Sequence, residues 1–432
     1  MIPTLLFVAF VVMMLMGVPI GAALGLAGAA CIALANSDAQ WFGLLAVPQN
    51  FYAGLGKYPL LAIPMFVLVG SIFDRSGVAL RLVNFAVAIV GRGPGMLPLV
   101  AIVVAMFLGG ISGSGPANAA AVGAVMIAAM SRAGYPAAFS ASVVGAAAAT
   151  DILIPPSVAF IVYSVLVPGA SVPALFAAGM IPGILAGIAL IVPTVWMARK
   201  HKMGALEASL PRPELWKSFV EATWGLAAPV LILGGMRAGW FTPTEAAVVA
   251  VFYGLFVGMV IYRTIQVRDL FVILRESGEL SAVILLVVSL AGIFAFSLST
   301  LGVIDPVTKA IVNSGLGEYG VLALLILMLI TVGMFLDGVS IFLIFVPLLW
   351  PIVQYYKWDP VWFGVILTLK VALGQFTPPL AVNLMVSCRI AGVRMEETVR
   401  WVGWMLFSMF LVMMAVIAWP ELALWLPRYL GY

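Results

Sequence analysis

Ser112-Gly113-Ser114-Gly115-Pro116 interrupts an apolar stretch running from residue 97 to 131, and its reading decides the fold. About 40 residues on, Ile154-Pro155-Pro156-Ser157 interrupts a second stretch, 137–166. The same pair recurs in the other half: Phe335-Leu336-Asp337-Gly338 breaks 319–354, and Thr377-Pro378-Pro379 breaks 358–388. Glycine and proline release backbone carbonyls and amides from helical bonding, which lipid tolerates only where those groups line a protected polar cavity. Matched interruptions in two halves point to the substrate site of a secondary transporter.

The surrounding sequence supplies the membrane. Of 432 residues, 64% are hydrophobic and 9% charged, with mean hydropathy +1.20. A soluble domain carries about 25% charged residues, so this is a polytopic protein of the lipid bilayer. The net charge of +4 is scattered through connecting loops and gives no nucleic-acid surface. Cys31 and Cys388 lie in or beside apolar stretches, which indicates neither a disulfide nor a metal framework. Met1 to Met16 lacks a basic leader and a small-residue cleavage site, and reads as a retained helix.

Spanning runs of about 20 residues fall near 3–17, 18–35, 59–75, 137–166, 179–198, 218–236, 243–262, 280–300, 358–388 and 401–420. The stretches 97–131 and 319–354 break midway, so each reads as a re-entrant hairpin. Basic residues favour the cytoplasmic side. Arg199-Lys200-His201-Lys202, Arg212 and Lys217 therefore form a cytoplasmic loop. Arg75, Arg81, Arg263, Arg268, Arg275, Arg389, Arg394 and Arg400 agree with it only if both broken stretches are hairpins. This count puts both termini in the periplasm and makes the halves inverted. Segments 77–93 and 303–316, with Arg81, Arg92, Asp305 and Lys309, are short for spans and read as interfacial arms.

Together with these breaks, the chain carries Leu61-Ala62-Ile63-Pro64-Met65-Phe66 with Gly70, Gly134-Tyr135, Leu175-Phe176-Ala177-Ala178-Gly179, Thr242-Pro243-Thr244-Glu245-Ala246-Ala247 and Gly333-Met334-Phe335-Leu336-Asp337. In this order, nearly end to end, they resemble the large membrane subunit of tripartite ATP-independent periplasmic (TRAP) transporters, in the ion transporter superfamily. The resemblance implies sodium-coupled import of a small organic acid across the bacterial inner membrane, with two or more coupling sodium ions. It also implies a four-helix small membrane subunit and a periplasmic solute-binding protein as partners. The implied fold is an all-α elevator with two inverted repeats, each holding a re-entrant hairpin and a broken helix. Scaffold helices and a first arm would occupy 1–95, and the first half of a transport domain 96–200. The cytoplasmic loop, scaffold helices and second arm would occupy 201–317, and the second half of the transport domain with the C-terminal helix 318–432.

Site residues follow from the breaks and the resemblance together. The first hairpin tip and the break opposite it offer sodium ligands from Ser112, Gly113, Ser114, Asp151 and Pro155, partly through carbonyls. Gly333, Asp337, Gly374 and Thr377 do the same for a second ion. Ser114, Asn118, Ser157, Asp337 and Asn383 are the candidate substrate contacts; a half-helix starting after a tip suits a carboxylate. Small-residue packing is the plainer reading of the first tip, and helix capping that of Asp337. The resemblance leads one to expect glycine where Thr150-Asp151 stands and a neutral residue at Lys370. Asp151 and Lys370 could pair, Lys370 could meet an anionic solute, or it could snorkel outward. Thr242-Pro243-Thr244-Glu245 reads as a capping box. His201, the only histidine, rules out the His-Glu-x-x-His of metalloproteases, and Gly333 to Asp337 lacks the Gly-x-Gly-Asp of aspartyl intramembrane proteases. No enzyme is indicated. A stand-alone sodium/carboxylate symporter of the same superfamily is the alternative function, and a channel the one from another class.

Overall fold

Apolar chain in lipid must satisfy its backbone internally, and helices do so within one segment. The computed structural model describes residues 2–35, 40–91, 93–207, 212–334, 336 and 338–432, with backbone alone at 2–3, 40–43 and 112. Arg92, Phe335 and Asp337 lie outside the described residues. The first half runs α1 (Ile2–Leu15), α2 (Ile20–Ala35), α3 (Gln40–Leu55), α4 (Ala62–Arg75), α5 (Val78–Val90), α6 (Met96–Ser112), α7 (Gly115–Arg132), α8 (Ala137–Ala148), α9 (Val158–Leu166) and α10 (Val172–Lys200). The second runs α11 (Leu215–Arg237), α12 (Pro243–Leu255), α13 (Val267–Thr300), α14 (Ile304–Val312), α15 (Gly317–Gly333), α16 (Gly338–Tyr355), α17 (Pro360–Gln375), α18 (Val382–Ala391), α19 (Val399–Ala418) and α20 (Glu421–Leu430). Seven helical segments among the described residues are long and apolar enough to cross a membrane.

All four expected interruptions occur, and no uninterrupted rod crosses at 97–131 or 319–354. The helices of the two halves also fall in one register. A spacing of 223 residues carries Gly115 onto Gly338, where α7 and α16 begin, and Pro155-Pro156 onto Pro378-Pro379. It also carries α1 onto α11, α2 onto α12, α5 onto α14, α6 onto α15 and α10 onto α19. By this register the long α13 corresponds to α3 and α4 taken together, split in the first half at Gly56-Lys57. That explains α3, which hydropathy alone did not bring out: its Pro48 and polar Gln40, Gln49 and Asn50 dilute the signal. By that register it leads into α4 as the first part of α13 leads into its second. Helix α20, also unforeseen, follows Trp419-Pro420 and packs on α10.

The helices can be followed as two groups, which also pack on each other through α5 and α4 on α6 and through α13 and α14 on α16. The first, α1–α5 with α11–α14, is organised around α13, which packs on α2, α3 and α4. The second, α6–α10 with α15–α20, holds all four interruptions. The halves interlock within it, because α18 of the second repeat packs against α7 and α8 of the first. The capping box at α12 forms as read: Glu245 N–H donates to Thr242 Oγ1 at 3.3 Å, and Thr242 N–H to Glu245 Oε2 at 2.8 Å. Cys31 and Cys388 are buried free thiols.

Each broken pair is tied down at its base by a carboxylate. In the first repeat, Glu207 of the loop between α10 and α11 accepts from Leu97 N–H at 2.8 Å and from the Tyr135 hydroxyl. Gly95 N–H donates to that hydroxyl at 2.6 Å. The start of α6 thus gains an acceptor for amides that a helix leaves unsatisfied. Glu207 is 3% exposed, and this burial pushes its carboxyl above the ordinary range. Burial and the Glu207 bond likewise push the Tyr135 phenol up. In the second repeat the position of Tyr135 is taken by Trp358, whose indole N–H donates to Glu318 at 2.7 Å. Glu318 stands where the first repeat has Gly95. One half borrows its anchor from the linker, and the other carries its own.

Candidate functional site

Helix α6 ends where Gly113 turns left-handed, at φ 60°. Ser114 is extended, and α7 then starts at Gly115 with Pro116 in its first turn, where a missing N–H costs nothing. Contact dictates the small residues. A Cβ on Gly113 would stand 2.7 Å from the Pro156 carbonyl oxygen. On Gly115 it would stand 2.6 Å from Gln375 Oε1 and 2.7 Å from Asn383 Nδ2. The first tip therefore touches both Pro-Pro breaks, one from each repeat.

At the first break both prolines are buried and joined by a cis bond. Ser157 donates to the Ile152 carbonyl at 2.6 Å and caps α9 by accepting from Phe160 N–H. Asp151 is fully buried against α6, its Oδ1 lying 3.0 Å from where a Gly109 Cβ would be. Asn118 ties α7 to α6 through Nδ2 to Ala105 O at 2.8 Å. At the second break Thr377 Oγ1 donates to Leu373 O at 2.5 Å, and Asn383 Nδ2 to Gln375 Oε1 at 3.0 Å. Ala381 opens α18 from the left-handed region at φ 43°, a conformation that L-residues seldom hold.

A cavity of about 190 Å³ lies where these parts meet. Gly113, Ser114, Gly333, Gly374 and Gln375 line it from the interrupted helices, with Val67 of α4 and Leu280 of α13 facing them from the other group. Of the residues expected from sequence, Gly113, Ser114, Gly333 and Gly374 reach the cavity wall. Asn383 sits just behind it, against Gly115. Asn118, Asp151, Pro155, Ser157 and Thr377 pack around the breaks without lining it. The Ser112 side chain and the whole of Asp337 lie outside the described residues. Asp151 and Lys370 do not pair: Lys370 Nζ forms neither a hydrogen bond nor an ion pair with any described residue. The two side chains point to different hairpins. Sequence reasoning did not select Gln375 as a contact, although it sits inside the quoted break; only the fold brings it to the first tip.

The chemistry is that of a soft-walled pocket with oxygen donors. No cluster of three or more His, Cys, Asp or Glu among the described residues could hold a metal ion. Carbonyls released at the breaks and the Ser114 hydroxyl instead fit a small hard cation, which prefers oxygen ligands; behind the wall, Asn118 Oδ1 and Asn383 Oδ1 have no hydrogen-bond partner among the described residues. Helix α7 opens without a side-chain cap, so its first-turn amides suit an anion.

An all-helical membrane permease built from two repeats, with its cavity at their broken helices, is the class that this fold and site define. A family model described as "Tripartite ATP-independent periplasmic transporter, DctM component" matches residues 7–422, and the chain belongs to that family. It is 37% identical over 415 residues to the C4-dicarboxylate TRAP transporter large permease protein DctM of Pseudomonas aeruginosa, covering 94% of each chain. It is 35% identical to the isethionate TRAP transporter permease protein DctMQ of Oleidesulfovibrio alaskensis, covering 91% of this chain and 61% of that one. Its fold is similar to the crystal structure of the YdaH transporter of Alcanivorax borkumensis, with TM-score 0.57, 14% identity, and 88% and 90% of the two chains covered. The chain is thus a multi-pass large permease subunit of a bacterial TRAP system, a transporter component and not an enzyme.

Proposed function

We propose that this subunit drives sodium-coupled import of a small organic acid that a periplasmic solute-binding protein delivers, by an elevator motion in the inner membrane. The observation that carries the reading is the convergence of four backbone interruptions, two from each repeat, on one cavity. The group α6–α10 with α15–α20 is the transport domain in this reading, and the group around α13 the scaffold. A repeat with two hairpin arms returning to one side and an odd number of other passes places the next repeat upside down. Both termini are then periplasmic and the loop containing Glu207 cytoplasmic. Relatives named for a C4-dicarboxylate and for isethionate support a small organic anion as the class of solute. The chain covers 61% of the longer DctMQ relative. That excess is consistent with a small subunit joined to the large one in that relative, and a small four-helix subunit is the membrane partner in this reading.

Carbonyls at Gly113 and Pro155, with Ser112, Ser114 and Asp151, hold the first sodium ion; the amides opening α7, with Ser114, Asn118, Ser157, Asp337 and Asn383, orient the anion. Gly333, Gly374, Thr377 and Asp337 surround the second ion position. The bound cation supplies positive charge beside the anion, so the two stabilise each other in the pocket. The test is uptake into proteoliposomes holding both membrane subunits, with a sodium gradient and the binding protein. Uptake that requires both supports the reading. Uptake without the binding protein favours a stand-alone symporter, and downhill flux indifferent to sodium favours a channel. Ser112→Ala and Thr377→Ala are expected to weaken sodium activation; unchanged activation in both would remove the assignment of ligands.

A further inference from the structure

Helices α10 and α19 hold equivalent places in the two repeats and pack on each other. Between them runs a groove of about 670 Å³. Its rims are exposed side chains three or four residues apart: Ile188, Val192 and Trp196 from α10, and Trp404, Phe407 and Leu411 from α19. That spacing puts one apolar stripe of each helix on the same open face. The one hydroxyl among the described residues that line it, Ser408, donates to the Met405 carbonyl at 2.9 Å. The groove therefore offers hydrocarbon along its length and polar atoms only at its tryptophan end. From Leu185 to Trp196 it runs about 16 Å at the helical rise. That is the depth of one leaflet, whereas a partner helix would follow the full core of about 30 Å.

Beyond the aromatic end stands positive charge. Trp196 meets Trp404 edge to face, with ring centroids 5.4 Å apart. The Lys200 ammonium lies over the Trp196 ring at 4.4 Å, a cation–π contact that holds it at the mouth of the groove. A recess lined by Gly403, Trp404 and Phe407 continues to Arg400. A guanidinium can only donate, so His201 Nε2 accepts from Arg400 at 3.2 Å, and His201 Nδ1 donates to the Met197 carbonyl at 3.1 Å. Arg199, Lys200 and Arg400 form no ion pair with any described residue; Glu397 pairs with Arg394 instead. The repeat supplies a control. The 223-residue register carries Arg199, Lys200 and His201 onto Leu422, Ala423 and Leu424, and sets Arg400 against Ala177. The repeat-related end of the helix pair lacks these charges, so the packing of the two helices does not call for them.

We propose that this groove binds one anionic phospholipid, with an acyl chain between α10 and α19 and the phosphate held by Lys200 and Arg400. An apolar run one leaflet deep, a tryptophan collar at headgroup level and basic side chains beyond it fit that ligand together. A neutral lipid matches the groove and leaves the charges unanswered. The site rests on the membrane placement of the chain and is independent of which solute or ion is carried.

Native mass spectrometry of the full chain in detergent, titrated with phosphatidylglycerol or phosphatidylcholine of the same acyl chains, tests it. The wild type is expected to retain one phosphatidylglycerol, about 30-fold more tightly than phosphatidylcholine, from two basic groups beside one headgroup. Lys200→Gln with Arg400→Gln, both at exposed positions, should bring the two lipids to equal affinity. Ser408→Trp, which fills the groove, should weaken both. Equal retention of the two lipids by the wild type, or an undiminished preference in the charge variant, overturns the proposal. Displacement by soluble glycerol phosphate would assign the charges to a free phosphate ester, and displacement by the small subunit would assign the groove to a partner helix; either also overturns it. If Ser408→Trp does not give a monodisperse protein, the charge variant decides.

Discussion

At the scale of single residues, this site is built from what is missing. Gly113 lacks a Cβ because the Pro156 carbonyl lies 2.7 Å from where one would be. A side chain in its left-handed conformation adds about 1–2 kcal/mol of strain. Gly113→Ala is therefore expected to lower the melting temperature and abolish sodium-dependent uptake; a variant with wild-type uptake would show that the tip is not in contact with the break. Gly333 meets only the flexible end of Lys370, so the pair should be coupled. Gly333→Ala alone should destabilise the protein by displacing the ammonium. Gly333→Ala with Lys370→Ala should recover much of that loss, since the next neighbour, Ile341, is at an ordinary 3.5 Å. Additive melting shifts across this double-mutant cycle would argue against contact. These glycines were legible as helix breakers, yet which atoms they make room for was not, because the partners lie in other helices.

At the scale of elements, the hairpin bases differ more than the tips. Burial raises the Glu207 carboxyl above its ordinary value, so ionising it costs more folded than unfolded. Its contribution to stability is then largest below about pH 4, the ordinary range for glutamate, and declines as pH rises through the raised value. Glu207→Gln should flatten that part of the melting-temperature profile. An unchanged slope would mean that Glu207 titrates as it does in the unfolded chain. Glu207→Ala leaves the Leu97 amide and Tyr135 hydroxyl without their acceptor, at a cost of about 1–3 kcal/mol, and is expected to loosen α6 more than α15. The sequence pattern marked Gly134-Tyr135 but was silent on Glu207, which sits 72 residues away in a hydrophilic loop. Helix α3 was hidden for another reason: polar residues within it weaken the hydropathy signal, and its identity rests on correspondence with α13.

At the scale of the whole molecule, the cavity is walled by both helix groups, with Val67 and Leu280 facing Val158 and Val339. If one group slides past the other, a covalent link between them must stop transport. Cysteines at Leu280 and Val339, in a background with Cys31 and Cys388 replaced by serine, should be joined by a short bifunctional thiol reagent. Uptake should stop on cross-linking and return when a cleavable linker is reduced. Continued uptake in fully linked protein would exclude sliding of the groups. The breaks and the family motifs were readable along the chain, since each depends on local composition.

The sequence by itself determined that the chain spans a membrane, where its helices are interrupted, and that its two halves share one plan. These follow from the cost of unsatisfied backbone in lipid, which is paid residue by residue along the chain. Only the tertiary structure decided that Gln375 and Asn383 meet the first hairpin, that Glu207 anchors its base, and that Lys370 faces Gly333 and not Asp151. Those outcomes depend on which helices pack together across the two repeats, and side chains far apart in sequence become neighbours only then.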